Sequence, residues 1–245
     1  MYNDKVSFLN ESLNGGKILM TKIAIDGPSG AGKSTLSKRL AETLGYIYID
    51  TGAMYRAAGL FCISQGINIK EEPDRAADAV DTITIGMEYC EAGQKVILNG
   101  EDVTTKIRTP EVSIAASDVS AIKRVRIKLV ELQRELAKSN DVLMDGRDIG
   151  TFVLPDAEIK IFLTASAEER AKRRFDELIL KGQSVLYEDV LKDMLYRDKN
   201  DSEREFSPLK AADDAICIDT TGNSFDESFN LLLNLIKERL CCNVL

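Results

Sequence analysis

The residues of this 245-residue chain best suited to chemistry by type and spacing are Gly27-Pro28-Ser29-Gly30-Ala31-Gly32-Lys33-Ser34, followed by Thr35. The pattern is Gly-x-x-x-x-Gly-Lys-Ser. Its glycines let backbone N–H groups converge on phosphate oxygens, its lysine reaches the β- and γ-phosphates, and its serine hydroxyl reaches Mg2+. Gly27 to Thr35 are the expected ATP cradle, with Lys33 as catalytic cation and Ser34 as a Mg2+ ligand. A bare glycine-rich turn binds nothing unless a strand enters it and a helix leaves it. Lys22–Asp26 reads as that strand. Leu36, Leu40 and Leu44 stripe the helix that follows, and Gly45 stands at its C′ position. GTPases share such a loop but read guanine through Asn-Lys-x-Asp. Asp198-Lys199-Asn200-Asp201 departs from that pattern at its first residue and lies in a helical stretch.

Phosphoryl transfer between two nucleotides needs several negative charges neutralised, and guanidinium forks match phosphate geometry. Arg56, in Asp50-Thr51-Gly52-Ala53-Met54-Tyr55-Arg56, follows a strand end and faces the acceptor side. Arg147 lies in Asp145-Gly146-Arg147-Asp148, at another strand end. Arg170, Arg173 and Arg174 share one helical face and suit a lid that closes over ATP and excludes water. Arg197, Asp201 and Arg204 stand at i, i+4 and i+7 and would share a face if that segment is helical. For both groups the plainer alternative is a solvated charged stripe.

The elements that must hold these residues alternate. Lys22–Asp26, Tyr46–Asp50, Asp141–Asp145, Ile159–Leu163 and Ala215–Asp219 read as buried strands separated by helices, which predicts an α/β fold with a five-stranded parallel sheet. Ligands in such folds sit beyond the carboxyl ends of the strands, where four of the five runs end in aspartate. Thr82–Tyr89 and Lys95–Leu98 read as a hairpin about Glu91-Ala92-Gly93-Gln94, with a second turn at Asn99-Gly100, inside a β-rich insertion over 66–110. Lid and substrate-contact helices are expected over 166–205, within one domain spanning 21–245. Ser166 with Glu169, and Ser224 with Glu227, carry the Ser-x-x-Glu capping pattern. Residues 1–20 are polar and unpatterned and read as a non-native or disordered extension, with Met20 as the expected start. Asn14-Gly15-Gly16-Lys17 is what a purine-rich ribosome-binding site would encode, and natural peptides from residues 1–19 would refute this.

Composition narrows the classes. With 40 acidic against 32 basic residues the net charge is −8, which argues against binding a nucleic-acid polymer. The chain has no histidine, which removes Ser-His-Asp and Cys-His catalysis and imidazole zinc sites. Five cysteines without a Cys-x-x-Cys pair fit reduced thiols in the cytoplasm. No apolar run reaches membrane-spanning length, and the first ten residues hold no signal-peptide core.

Taken together, the motifs resemble the bacterial cytidylate kinase family, from about Lys22 to Leu240. Gly27–Thr35, Asp50–Arg56, Val96–Arg108, Asp145–Thr151 and Arg197–Leu209 carry the likeness, and the Asp-Gly-Arg-Asp and Leu-Asn-Gly-Glu-Asp-Val segments are its most specific parts. The resemblance implies a P-loop kinase fold with extra strands in the acceptor region and an arginine-rich helical lid. It implies Mg2+-dependent transfer from ATP to CMP, with dCMP as a second acceptor; a cytoplasmic monomer is a separate expectation. By the same resemblance Thr51, Tyr55, Arg56 and Arg147 hold the CMP ribose-phosphate. Ser117, Arg126 and Asp148 read cytosine. Arg197, Asp201 and Arg204 meet the ribose and the transferring phosphates, and Arg170, Arg173 and Arg174 form the lid. Thr51 stands where many bacterial relatives have Ser. Asp145 is expected to support Mg2+ through water.

A carboxylate at Asp148 suits the N4 amino group of cytosine, and uracil reverses that polarity. Ser117 and Arg126, nine residues apart, lie on opposite faces of a continuous helix, so a shared base-reading role predicts a break near residue 120. Ser120 would cap the new helix, whose stripe is Ile122, Val125, Leu129, Leu132 and Leu136. Two alternatives stay open: a P-loop kinase for another small acceptor such as UMP, AMP or an alcohol, and a non-catalytic nucleotide sensor.

Overall fold

The structure is a computed structural model, and it describes residues 20–90 and 93–242. The expectations for residues 1–19 and for the turn at Glu91-Ala92 lie outside the described residues. β1 (Lys22–Asp26) runs into α1 (Lys33–Leu44), and β2 (Ile47–Asp50) into α2 (Thr51–Ser64). Then come α3 (Pro73–Asp81), β3 (Ile85–Cys90), β4 (Gly93–Leu98), β5 (Glu101–Asp102) and a 3-10 turn at Lys106–Arg108. α4 (Pro110–Ser120) and α5 (Lys123–Ala137) lead to β6 (Val142–Gly146), and a π turn at Ile149–Val153 leads to β7 (Ile159–Thr164). α6 (Ala167–Leu180), α7 (Tyr187–Glu203), β8 (Ile216–Asp219) and α8 (Phe225–Cys242) follow.

The main sheet has the order β2-β6-β1-β7-β8, and every pairing in it is parallel. Side chains alternate across it because strand residues have a period of two. Ala24 and Met144 point to one core, which packs α2, α4 and α5 through Met54, Ala57, Val119 and Leu129. Ile23, Ile25 and Leu143 point to the other, where Leu36 and Leu40 of α1 meet Phe229, Leu232 and Ile236 of α8. Both faces of the sheet are covered, which fits strands that are apolar nearly throughout.

β3, β4 and β5 form a separate antiparallel sheet, with the turn at Asn99-Gly100 between β4 and β5. The segment after α2 is not only β-rich: α3 buries Ala76, Ala77 and Val80, with Pro73 in its first turn. Ile85, Val96 and Leu98 join the same core as α2 and α4.

The helix break falls where expected, between Ser120 and Lys123, but its capping differs. Ile122 precedes α5 and no side chain caps it. The Ser120 hydroxyl instead donates to the Ser117 carbonyl, 2.8 Å away. Val125 and Leu129 are buried, while Ile122, Leu132 and Leu136 are partly buried against the core. Of the two capping patterns, Ser224 and Glu227 exchange reciprocal bonds, whereas Ser166 caps Glu169 N–H and the Glu169 carboxylate turns to Arg173.

Candidate active site

Gly27 follows β1 with φ 147°, and a Cβ there would lie 1.9 Å from the Leu163 carbonyl oxygen, so only glycine lets the loop leave beside β7. The loop enters α1 through Gly32 in the left-handed region, and no side chain caps that helix. Its first-turn N–H groups, with the positive end of the helix dipole, face the cleft as an anion site. The loop rests on α6 and α7. Arg170 donates to the Ser29 carbonyl at 2.8 Å and to Asp198 at 2.5 Å, and Asp198 accepts from Ser29 N–H at 3.1 Å.

Lys33 is buried, and its ammonium donates to the Pro28 carbonyl at 2.6 Å. Burial, then the nearby Arg147 charge, pushes its pKa well below that of an ordinary lysine. Ser34 Oγ donates to Asp145 Oδ2 at 2.9 Å, and Tyr48 donates to Asp145 Oδ1 at 2.7 Å. A hydroxyl and a carboxylate beside the phosphate loop are hard oxygen donors of the kind that fit Mg2+ shared with phosphate oxygens. Burial and the neighbouring Asp50 raise the Asp145 pKa, so a cation there would be favoured.

One cleft of about 660 Å3 runs between the P-loop and the wall made by α2, α4, α5, the β6 end and α7. Lining it are all but three of the residues singled out from the sequence: Gly27, Pro28 and Arg170 do not line it. Arg170 is held beneath the P-loop rather than on a free lid face. Arg173 reaches the cleft but donates to Thr220 O and Glu169, tying α6 to the loop after β8. Arg174 lines the cleft too, and its partner is Glu177 on its own helix rather than the P-loop or the loop after β8.

On the wall across the cleft from the P-loop the arginines come with carboxylates. Asp50 caps α2 through Ala53 N–H and accepts from Arg56 and Arg108 at 2.9 and 3.1 Å. Burial opposes it, but Arg56 and Arg108 hold the Asp50 pKa low. Thr51 donates to the Asp145 carbonyl at 2.7 Å, locking α2 to the β6 end. Arg147 Nε donates to Asp201 at 2.8 Å, and Ser117 donates to the other Asp201 oxygen at 3.2 Å. Against burial, Arg147, Arg204 and Arg197 keep the Asp201 pKa below that of an ordinary aspartate. Arg126, 1% exposed, donates to Asp148 at 2.5 Å and to the Ser120 carbonyl, and stacks over Tyr55 with its Cζ 5.2 Å from the ring centre. Burial raises Tyr55 to about 12, so it stays a neutral phenol.

Arg197 differs from these. Among the described residues it has no carboxylate within salt-bridge distance, and its buried Nε has no partner. Burial and the Arg147 charge push its pKa down to about 10. Arg197 thus lines the cleft with a positive charge that no carboxylate balances, which a phosphate would relieve.

Several positions differ from the reading of the sequence. Arg204 is not a third helical rung; α7 ends at Glu203 and Arg204 is extended, yet its guanidinium returns to within 3.8 Å of Asp148 and 3.9 Å of Asp201. Of the strand-end aspartates, Asp219 is exposed and only caps its own turn at Thr221, while Asp26 accepts from Ile149 and Gly150 N–H at 2.8 Å each. Asp26, Tyr48, Arg108, Asp198 and Ser207 escaped the sequence-based selection of site residues. Asp26, at a strand end, and Arg108, Asp198 and Ser207, inside family-like segments, carried a signal, whereas Tyr48 stood only within a strand run.

Residues 23–238 match the family model described as Cytidylate kinase. The cytidylate kinase of Caldicellulosiruptor saccharolyticus is 56% identical over 213 residues, which cover 87% of this chain and 94% of that protein. The cytidylate kinase of Lactobacillus johnsonii is 50% identical over 90% of this chain and 95% of its own length. That of Bacillus subtilis is 48% identical over 89% and 96%.

Proposed function

The chain belongs to the cytidylate kinase family, and from that premise we propose how its cleft moves the γ-phosphoryl group of ATP to CMP, and to dCMP, giving ADP and CDP or dCDP. The enzyme is a phosphotransferase. The P-loop backbone and Lys33 hold the donor phosphates, with Arg174 closing over them from α6. Arg170 and Arg173 serve ATP indirectly, by fixing the P-loop and the loop after β8. Mg2+ would be held by Ser34, by Asp145 through water and by the phosphates, and would supply charge neutralisation.

Arg56 and Arg147 take the CMP phosphate, and Arg197 and Arg204 the charge on the transferring group. The acceptor oxygen of a monophosphate is already anionic, so its in-line attack needs no strong general base, and catalysis is positioning and electrostatic stabilisation. Asp148 accepts from the cytosine amino group, with Arg126 and Ser117 beside it. Tyr55 and Thr51 shape the ribose-phosphate end, and Asp201 accepts from a ribose hydroxyl. No helix among the described residues is long and apolar enough to cross a membrane. Action as a cytoplasmic monomer is part of the same reading.

The observation that carries it is the pairing of a P-loop with a wall of arginines across one cleft, Arg197 lacking a carboxylate of its own. An alcohol acceptor would call for a carboxylate base at the attacking oxygen instead. The test is ADP release from Mg-ATP with CMP, dCMP, UMP, AMP, GMP and shikimate in turn. Turnover highest with CMP or dCMP supports the assignment. Preference for another acceptor overturns the cytosine pocket, and ATP binding without turnover overturns catalysis.

A further inference from the structure

Asp148 has two carboxylate oxygens, and the fold treats them unequally. Oδ2 accepts from Arg126 Nη2 at 2.5 Å and from the Ser207 hydroxyl at 2.6 Å. Among the described residues no hydrogen bond reaches Oδ1, whose nearest cation, Arg204 Nη2, stands 3.8 Å away. Two donors converging on one oxygen fix the rotation of the carboxylate. Arg126 cannot do this alone, because one donor from one direction leaves the group free to turn about it. Asp148 also lines the cleft.

Ser207 stands where a serine is costly. Its φ is 53°, in the left-handed region, and Pro208 follows it. A non-glycine residue there is strained, and a following proline restricts it further. Glycine would take this backbone freely, and what serine adds is its hydroxyl. The same residue's carbonyl accepts from Arg204 Nε at 2.6 Å, so Ser207 touches both the candidate base reader and a phosphate-facing arginine.

We propose that Ser207 is a positioning residue for acceptor-base selection: its hydroxyl holds Asp148 so that one carboxylate oxygen stays free to accept from an exocyclic amino group on the acceptor base. This rests on the cytidylate reading above. Without the hydroxyl the carboxylate turns about its Arg126 contact toward Arg204, and the acceptor for the amino group is no longer preformed. Uracil presents an oxygen at the same place and draws nothing from Asp148, so it loses less.

The test compares Ser207→Gly with Ser207→Ala in the full-length enzyme. Both remove the hydroxyl, but glycine relieves the backbone strain and alanine keeps it, so a shared effect belongs to the hydroxyl. The readouts are kcat/KM for CMP, kcat/KM for UMP at raised enzyme concentration, and KM for ATP. In both variants kcat/KM for CMP is expected to fall roughly tenfold, the scale of one hydrogen bond to a charged group. UMP should change much less, so that the CMP/UMP ratio narrows, and KM for ATP should hold. Equal losses for CMP and UMP, no loss for either, or an effect confined to alanine overturns the inference. A wild-type enzyme that does not favour CMP over UMP overturns the reading beneath it, which is distinguishable because it is seen without any substitution.

Discussion

Asp26 joins the two halves of the cleft. It ends β1 immediately before the P-loop, and its carboxylate holds Ile149 and Gly150 N–H directly after Arg147 and Asp148. Replacing Asp26 with Asn keeps the size but turns one acceptor oxygen into an NH2 group facing an N–H. The orphaned buried donor costs roughly 1–3 kcal/mol. That cost depends on pH in a definite direction. Burial pushes the Asp26 pKa up to about 7 despite the two backbone donors, whereas an aspartate in an unfolded chain titrates at about 3.9. Between those values the folded protein keeps a proton that the unfolded chain has released. The stabilisation is therefore full below the unfolded pKa, falls as pH rises, by about 1.4 kcal/mol per unit, and is gone above the folded pKa. From pH 5 to 7 the wild type should lose roughly 2–3 kcal/mol through this residue, and the Asp26→Asn variant should not. Urea unfolding of both proteins from pH 5 to 8 reads the difference directly. The gap in favour of wild type should narrow to pH 7 and then stay level. A gap that does not change with pH would mean that Asp26 titrates alike in both states and is not held protonated by the fold. Turnover with CMP should also fall in the variant, since the loop carrying Arg147 and Asp148 loses an anchor.

Substitutions on the donor side should separate catalysis from stability. Lys33→Met should lower kcat by about 10²–10³-fold, the cost of removing one preorganised charge. It should leave the melting temperature equal or higher, because a buried ammonium with a lowered pKa is removed; a large loss of stability would contradict that. Arg170→Met breaks a buried pair with Asp198 and a bond to the P-loop, so thermal or urea unfolding should show a loss of about 3–5 kcal/mol together with a raised KM for ATP. Arg174→Met should raise KM for ATP with a stability change under about 1 kcal/mol, its pair with Glu177 being partly exposed. Equal stability losses at the two arginines would contradict their different placement.

Much of this was legible because it is local. The P-loop needs a strand, fixed glycines and a helix in register, and all three lie within about two dozen adjacent residues. The break between α4 and α5 followed from the requirement that Ser117 and Arg126 converge. What failed depends on long-range order. Asp26 and Asp219 end strands alike in sequence, but β1 is central and β8 is an edge, so one is buried at the cleft and the other is solvated. Arg170, Arg173 and Arg174 share a helical face, yet the arc they span is wide enough for Arg170 to pack under the P-loop while Arg174 opens to the cleft. α3 carried a readable proline start, but at nine residues its periodicity was too short to stand out beside two strands. Ser207 lies inside the family-like segment Arg197–Leu209, yet its own type and spacing did not mark it. Nothing in Phe206-Ser207-Pro208 announces a positive φ, and its partner Asp148 is 59 residues away.

Every acceptor-side assignment in the cleft depends on its selecting CMP as phosphoryl acceptor. The most direct test is a competition in one vessel: limiting Mg-ATP with equimolar CMP, UMP, AMP and GMP, and the diphosphates separated by chromatography. CDP is expected to dominate the diphosphates formed from the acceptors, with UDP a minor share and ADP matching their sum. UDP or GDP exceeding CDP, or ADP well in excess of the other diphosphates together, as transfer to AMP would give, would contradict it.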